Sequence, residues 1–181
     1  MNHIHELIRA RYSTVIFSSK KIEDKKLASL FEAARWAPSA FNEQPWRFIV
    51  GVNGNDENYQ KIYDCLMEAN QAWAKYAPVL VLTIASKNSS VTGKPNRFAQ
   101  YDTGMAVGNM LAQATSLGLY VHQMGGFSVS NAMEFFEIGD EYDIMSVMAI
   151  GYKGDIELFP EYIQERELKE RRRKSIDEIL M

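Results

Sequence analysis

Hydrophobic positions along the chain follow two spacings, one typical of helices and one typical of buried strands. Leu27, Leu30, Phe31 and Ala34 recur at i, i+3, i+4 and i+7 and predict an amphipathic helix. Residues 79–85 (VLVLTIA) are apolar at nearly every position, which is typical of a strand buried on both faces. Further helices are predicted around residues 4–8 and over residues 56–75, 98–117 and 130–136, further strands over 47–52, 119–124 and 146–150, a turn at 53–56 and an exposed loop at 87–96. Helices and strands are intermixed, so the pattern predicts one α+β domain around a short sheet.

Small residues recur along one side of the longest predicted helix, residues 98–117. Gly104, Gly108 and Ala112 are spaced four positions apart and therefore share one face. Because this face carries almost no side chains, we expect another helix to approach it closely.

The last part of the chain, residues 161–181, is distinguished by its high content of charged residues. Glu165, Glu167 and a basic run at residues 171–174 leave few side chains that could be buried against the body. We expect residues 161–181 to form an extended C-terminal arm that runs over the surface or onto a partner chain. A terminus of this length needs such a tie to be well ordered.

Composition limits the chain to one domain and argues against polyanionic partners. Its 181 residues are 46% hydrophobic, enough for one well-packed core and too few for two ordinary domains. Twenty Lys and Arg against 23 Asp and Glu give a formal net charge of −3, which offers no global attraction to nucleic acid or an anionic membrane. The expected partners are small molecules or other proteins.

Cysteine usage and hydropathy together predict a cytoplasmic protein. Cys65 is the only cysteine, so the chain cannot form an intrachain disulfide and has no cysteine-based zinc site. Charged residues interrupt the first eleven positions, where a signal peptide needs an apolar run. The longest apolar stretch, residues 78–85, is far shorter than the roughly 20 residues that a membrane-spanning helix requires.

The first segment with candidate chemistry is Arg11-Tyr12-Ser13, at the end of the first predicted helix. A guanidinium fork and a hydroxyl two residues apart suit an oxyanion such as phosphate. The alternative is a surface arginine beside a serine that ends the helix.

The second segment joins a helix to a strand at residues 36–46 and contains two prolines and no glycine. Ser39, Asn42 and Gln44 offer hydroxyl and amide groups that can bond a heterocycle or a polyol. The alternative is a rigid corner of purely structural value, stapled by Trp36 and Trp46.

Three further segments carry weaker signals. Asn70 lies inside a predicted helix, where asparagine is either solvated or bonded to another element. Gly125 and Gly126 directly follow a predicted strand, where they permit a positive φ and a bare backbone approach to a planar ligand or an anion, or simply form a tight turn. The basic residues at 171–174 are surrounded by acidic ones, so a single phosphate group suits them better than a polynucleotide.

Hydrolytic and metal-dependent chemistry is not expected from this sequence. The histidines are His3, His5 and His122, and neither a GxSxG elbow nor an HExxH motif occurs. Cys65 has no basic neighbour in the sequence. We therefore predict no bound metal and no catalytic side chain of the hydrolase kind.

Taken together and in this order, these segments resemble the FMN-dependent nitroreductase family over nearly the whole chain. RYSTVIF at residues 11–17 is similar to the family's R-x-S-x-(R/K)-x-F, PSAFNEQPW at 38–46 to P-S-x-x-N-x-Q-P-W, and NQAWAKYAP at 70–78 to N-x6-A-P. The glycine-containing helix ending in LGL at 117–119, MGGF at 124–127, AIGY at 149–152 and RRRK at 171–174 complete the series. The segment at 38–46 is the most specific of these matches.

The resemblance implies a nitroreductase-like fold, with a short mixed β-sheet, flanking helices, a long central helix and an intertwined homodimer. FMN would lie at the subunit interface, and the central helix with Gly104 and Gly108 would form the dimer contact. By the same resemblance, the residues that bind FMN are Arg11, Tyr12, Ser13, Arg171 and Arg173 around the phosphate, Pro38, Ser39, Ala40 and Asn42 from the other subunit, and Asn70, Gly125 and Gly126 at the ring.

The family's chemistry is carried mainly by the flavin. NADH or NADPH would deliver a hydride to flavin N5, and a nitroaromatic, quinone or similar acceptor would then be reduced in a ping-pong sequence without a required protein acid or base. Relatives that fragment flavin or remove halogen, and a non-catalytic flavin carrier, are the alternative functions. The chain is also compact, so we expect an open site that tolerates many acceptors.

The chain departs from the family pattern at two positions. Val15 and Trp73 stand where members often carry a cation near the N1/O2 edge of the ring. We expect reduced flavin to be less favoured here, unless Lys75, Arg47 or another chain supplies the charge.

Overall fold

Four strands form the centre of the protein, in a computed structural model that describes residues 3–54 and 56–181. They are β1 (Trp46–Val52), β2 (Val79–Ser86), β3 (Tyr120–Met124) and β4 (Tyr142–Gly151), and they lie side by side in the order β1-β2-β4-β3. All three neighbouring pairs are antiparallel, so the prediction of a mixed sheet is wrong for the described strands. The consecutive strands β1 and β2 are connected through α3 and α4, and β3 and β4 through α6, so neither pair is a simple hairpin.

Seven α-helices surround the sheet within the described ranges. They are α1 (Glu6–Ala10), α2 (Asp24–Arg35), α3 (Glu57–Cys65), α4 (Glu68–Ala74), α5 (Ala99–Ser116), α6 (Val129–Phe135) and α7 (Glu161–Glu167), with short 3₁₀ turns at Ala40–Asn42, Ile156–Leu158 and Ile176–Glu178. The predicted α+β class is confirmed, and so are the long helix before β3 and the strands. None of these helices is long and apolar enough to cross a membrane. Asn55, in the predicted turn at 53–56, lies outside the described residues.

Strand β2 separates two hydrophobic clusters, one on each face of the sheet. Leu80 and Leu82 pack in one cluster together with Trp73 of α4. Val81 packs in the other with Met110 of α5. Alternate side chains of a strand point to opposite faces, which explains why the sequence of β2 is almost uninterruptedly apolar.

The single helix predicted over residues 56–75 is wrong, because the chain breaks it between α3 and α4. Leu66 is extended and forms an isolated bridge with Phe127, and the Met67 N–H donates to the Gly126 carbonyl at 3.0 Å. Hydrophobic periodicity continues through this break, so only the bonding to a distant segment reveals it. The break brings the start of α4 against the glycine pair that follows β3.

The extended C-terminal arm begins later than predicted. Helix α7 is packed on the body and buries Ile163 and Glu167. The exposed part of the terminus is residues 168–181. The Glu167 carboxylate can be buried because Thr14, Val15 and Lys153 bind its oxygens.

Gly104 and Gly108, on the small-residue face of α5, are exposed within the described chain. A Cβ atom added at Gly104 or Gly108 would meet no heavy atom within 4 Å. The opposite face of α5 carries its buried residues, among them Ala106 and Met110. Within the described chain, α1 approaches this face in part, since Leu7 and Arg11 border a small cavity together with Gly108 and Ala112.

Replacing Gly51 should destabilise the fold, since helix α3 packs directly on β1 at this position. A Cβ atom at Gly51 would overlap the backbone of Tyr59, which cannot rotate away as a side chain can. We expect Gly51→Ala to lower the free energy of unfolding by about 3 kcal/mol, the upper part of the range for overpacked cores. Urea unfolding of the protein without added ligand measures this.

Gly125→Ala is the matched control for that change, because a Cβ there meets nothing within 4 Å. Its unfolding free energy should stay close to that of the parent protein. Equal stability of the two variants would contradict the proposed packing of α3 on β1.

Candidate functional site

The two ends of the chain meet at a cluster of three arginines. Arg11 follows α1, and its Nη1 donates to Ser13 Oγ at 2.9 Å. Arg171 comes from the C-terminal segment and donates through Nη1 to the Arg11 carbonyl at 2.7 Å and through Nη2 to the Arg9 carbonyl at 2.8 Å. Arg173 lies close enough to act on the charge of Arg11. We call Arg11, Ser13, Arg171 and Arg173 the arginine cluster.

Positive charge in the arginine cluster is not balanced by the protein. Partial burial lowers the pKa of Arg11, and the neighbouring charges of Arg171 and Arg173 lower it further. Among the described residues, no carboxylate forms an ion pair with any of these three arginines. An oxyanion bound here would relieve the repulsion and accept the free guanidinium hydrogens.

A second group of residues lies where β3 ends and α4 begins. Asn70 Nδ2 donates to the Gly126 carbonyl at 3.0 Å, alongside the bond from the Met67 amide. A Cβ at Gly126 would lie 2.8 Å from Asn70 Nδ2, whereas one at Gly125 would point into open space. Asn70 Oδ1 accepts no hydrogen bond from the described residues and is left to meet a ligand.

The two glycines allow other groups to come close to the backbone, and neither adopts an unusual backbone angle. Neither Gly125 nor Gly126 has a positive φ, so that part of the sequence interpretation is wrong. Gly126 is small because Asn70 packs against it, and Gly125 leaves bare backbone beside open space. A planar group can approach bare backbone to van der Waals distance.

His122 connects the arginine cluster to the glycine pair. Its Nδ1 bonds the Thr14 carbonyl at 2.8 Å, which assigns the proton to this nitrogen, and Thr14 adjoins Ser13. His122 is also part of β3, the strand that leads into Gly125. His122 therefore ties the segment that carries Ser13 to the strand that leads into the glycine pair.

Trp73 is a core residue and fills the position where a cation is often found. Its side chain is 1% exposed, and its ring lies 4.5 Å from His122 and 6.1 Å from Phe17. The cation over its ring is Arg166, with Cζ 5.5 Å from the ring centre. Lys75 lies over the ring of Tyr76, and Arg47 donates to the carbonyls of Gln44 and Trp46.

The loop from Pro38 to Trp46 is held in a strained conformation. Phe41, Asn42 and Gln44 have φ values of 54°, 56° and 47°, in the left-handed region that non-glycine residues rarely occupy. Asp102 of α5 holds the loop by accepting from the Ala40 amide at 3.0 Å, and Ser39 Oγ accepts from the Gln44 amide at 3.0 Å. Strain of this kind persists where surrounding contacts enforce it, and such positions cluster at ligand sites.

This loop does not join the arginine cluster within one chain. Its Glu43 carboxylate accepts bonds from Ser89 and Ser90 in the loop after β2, beside a cavity of about 360 Å³. The Phe41 side chain is 95% exposed, and Trp36 is 73% exposed while Trp46 is buried. The suggested staple of two tryptophans is therefore wrong. Pro38, Ser39, Ala40 and Asn42 form a separate group from the other candidate residues.

Sequence reasoning missed one residue of this site, Glu167. Its buried carboxylate accepts hydrogen bonds from Thr14 Oγ1 and the Val15 amide. Its backbone carbonyl accepts a hydrogen bond from the Tyr12 hydroxyl at 2.6 Å. A glutamate in a tail rich in charge carries no local signal that separates it from its exposed neighbours.

Protonation of His122 should destabilise the folded protein in mild acid. Burial lowers the pKa of His122 below the ordinary value of 6.5, and the positive charge of Arg166 also lowers it. Hydrogen bonds to the Thr14 and Ser13 carbonyls and the negative charge of Glu167 oppose this lowering. Below pH 6.5 the unfolded chain takes up a proton that the folded chain does not, so the free energy of unfolding falls with pH down to the lower folded pKa. Urea unfolding at a series of pH values between 7.5 and 5 should show a shallower fall for His122→Gln.

His3→Gln removes an exposed histidine and serves as the control for that experiment. Its pH dependence should match that of the parent protein. The assignment is wrong if His122→Gln and the parent protein lose stability in parallel.

Comparison with known proteins places the chain in a family. It is 32% identical to a protein whose crystal structure is described as an oxidoreductase containing FMN, with a TM-score of 0.92 over 99% of this chain and 91% of that one. It is 28% identical to a nitroreductase family protein of Clostridium difficile 630, with a TM-score of 0.74 over 100% of this chain and 98% of that one.

Sequence comparison agrees with these structural similarities. The chain is 29% identical over 154 residues to a Methanothermobacter thermautotrophicus protein provisionally assigned as an NADH dehydrogenase or NAD(P)H nitroreductase, covering 83% of this chain and 77% of that protein. Two overlapping matches to the model of the nitroreductase family extend over residues 8–77 and 59–152. On these matches and on the shared fold, the chain belongs to the nitroreductase family.

Proposed function

We propose that this protein is an FMN-dependent oxidoreductase that passes reducing equivalents from NADH or NADPH, through FMN, to a nitroaromatic, a quinone or a similar acceptor. The observation that carries the proposal is the arginine cluster, which residues 11–13 and the C-terminal segment form together. Membership of the nitroreductase family and the similar oxidoreductase containing FMN support it.

The residues present fit a phosphorylated flavin. Partial burial and the repulsion from Arg171 and Arg173 lower the pKa of Arg11, so a phosphate dianion would be stabilised among these three arginines. Asn70 Oδ1 and the bare backbone at Gly125 offer one acceptor and a close approach for a planar ring with polar edges. The bond from His122 to the Thr14 carbonyl ties the segment that carries Ser13 to the strand that precedes the glycine pair.

We further propose that two copies of the chain complete the site. Pro38, Ser39, Ala40 and Asn42 sit on a loop that is bonded to Asp102 and Ser90, with the exposed Phe41 beside them. Gly104 and Gly108 are exposed within the described chain, so this part of the small-residue face of α5 is available to a helix of a second copy. A homodimer would place the loop of one subunit against the arginine cluster of the other.

The protein's part in the reaction is to bind and expose the cofactor. When bound, FMN supplies two-electron chemistry on a planar ring, which no amino-acid side chain supplies. Cys65 is buried, and burial followed by the charge of Asp64 raises the pKa of its thiol to about 11, so it is no nucleophile near neutral pH. Neither Asn70 nor the glycine pair titrates, so the reaction's protons would come from water.

A visible spectrum and an anaerobic reduction test the proposed function. The purified protein should be yellow or take up FMN, lose its flavin absorbance with NADH or NADPH under anaerobic conditions, and regain it with a nitroaromatic or a quinone. Sedimentation of the same sample should give twice the chain mass of 20.7 kDa. Turnover with both nucleotides and a panel of acceptors then identifies the preferred partners.

Other outcomes of that experiment favour other functions. Failure to take up FMN would refute the proposal altogether. Bound FMN that neither nucleotide reduces would indicate a flavin carrier. Bleaching of the bound flavin in air with a reductant, without acceptor turnover, would indicate a flavin-fragmenting relative.

Loss of the Arg11 side chain should weaken FMN binding. Arg11→Ala removes a charged hydrogen bond to the phosphate group, and we expect the binding free energy to fall by about 1.5 to 3 kcal/mol. Fluorescence titration of FMN into the apo-protein measures this.

Arg172→Ala is the matched control, because Arg172 belongs to the same basic segment but has an 87% exposed side chain and pairs with Glu170. Its FMN affinity should be nearly that of the parent protein. If the Arg11→Ala variant bound FMN as tightly as the parent protein, the assignment of Arg11 to the phosphate site would be wrong.

A further inference from the structure

Glu167 is a charged residue buried in the last turn of α7. Its side chain is 2% exposed, and an ionised carboxylate in such surroundings is costly unless donors surround it. Three donors do so. Thr14 Oγ1 and the Val15 amide both donate to Oε2 at 2.9 Å, and Lys153 Nζ lies 2.8 Å from Oε1.

These bonds hold the N-terminal segment on both sides of Ser13. Ahead of Ser13, the Tyr12 hydroxyl donates to the Glu167 carbonyl at 2.6 Å. Behind it, Thr14 and Val15 are bound by the Glu167 carboxylate. One residue of α7 therefore fixes the backbone from which Arg11 and Ser13 project.

The same helix end also sets the position of Arg171. Only three residues separate Glu167 from Arg171, whose guanidinium donates to the carbonyls of Arg9 and Arg11. Because α7 ends at Glu167 and every later residue is exposed, Glu167 is the last buried anchor before the basic segment. The distance between Arg11 and Arg171 depends on this anchor.

Glu167 does not act as a counter-ion to the arginine cluster. Its oxygens are engaged by Thr14, Val15 and Lys153, and no described arginine forms an ion pair with it. It therefore leaves the positive charge of the cluster available to an anion while opposing the separation that this repulsion favours.

We propose that Glu167 is the positioning residue of the phosphate subsite, and that it thereby gives the protein its preference for FMN over riboflavin. The inference rests on the proposed function, in which the arginine cluster binds the FMN phosphate. A residue that only stabilised the fold would affect both flavins equally, because they share the ring and the ribityl chain. A residue that positions the cluster affects only the flavin that carries a phosphate group.

Fluorescence titrations of FMN and of riboflavin into apo-protein test this through the ratio of the two affinities. Glu167→Ala should lower the FMN-to-riboflavin ratio by about tenfold or more, since the loss of buried bonds to the segment at 12–15 is worth at least about one factor of ten. Glu167→Gln should lower the ratio less, because its amide oxygen can still accept from Thr14 and Val15. Circular dichroism of each apo-protein verifies that it is folded.

Glu165→Ala is the matched control, with the same change of charge on the same helix. Glu165 is exposed and makes no hydrogen bond or ion pair with the described residues, so its ratio should equal that of the parent protein. The positioning role would be overturned if Glu167→Ala weakened the binding of both flavins equally or left the affinity ratio unchanged. It would also be overturned if Glu165→Ala changed the ratio as much as Glu167→Ala.

The parent protein separates this proposal from the proposed function. If it binds both flavins with equal affinity, the phosphate subsite is refuted while flavin binding stands. If it binds neither flavin, the proposed function falls and the role of Glu167 falls with it.

Discussion

The arrangement of the candidate site depends on holding like charges together. Arg11, Arg171 and Arg173 repel one another, and this repulsion adds to partial burial in lowering the pKa of Arg11. The tie that opposes it is not an exposed ion pair, which would be worth little. It is the buried Glu167 carboxylate, bonded to backbone and side chain at residues 14 and 15 and paired with Lys153.

Local irregularities serve the site more than the fold. The break between α3 and α4 allows the Met67 amide and the Asn70 side chain to share the Gly126 carbonyl, which an unbroken helix would prevent. The left-handed residues Phe41, Asn42 and Gln44 turn their loop outward, away from the core. A regular helix and a relaxed loop would pack as well, but they would not present these groups.

Three parts of the surface remain exposed in the single chain. Phe41 and the small-residue face of α5 are exposed within the chain, and residues 168–181 lie on the surface. A single chain thus carries two separate groups of candidate residues. Association of two copies would explain why a one-domain protein has a divided site and a bare helix face.

Periodicity alone determined the class of the fold and most of its elements, because burial on one helix face or on both strand faces leaves a direct trace in residue order. Motif order determined the candidate residues at 11–13, 38–42, 70, 125–126 and 171–173, since each combines residue types with a recognisable chemistry. Sequence patterns could not locate the break at Leu66, the antiparallel pairing of all strands or the late start of the arm. Each of these depends on partners far along the chain, such as Phe127 for Leu66.

Only the tertiary structure decided which of these residues meet. Arg11 and Arg171 are 160 positions apart and are joined by direct bonds, whereas Asn42 lies closer to Arg11 in sequence and is held elsewhere by the loop's bonds to Asp102 and Ser90. It also decided that Glu167 is buried. That burial depends on Thr14, Val15 and Lys153, none of which is a sequence neighbour of Glu167. The physical reason is that a buried charge is tolerated only where distant groups converge on it, and that convergence is a property of the folded chain.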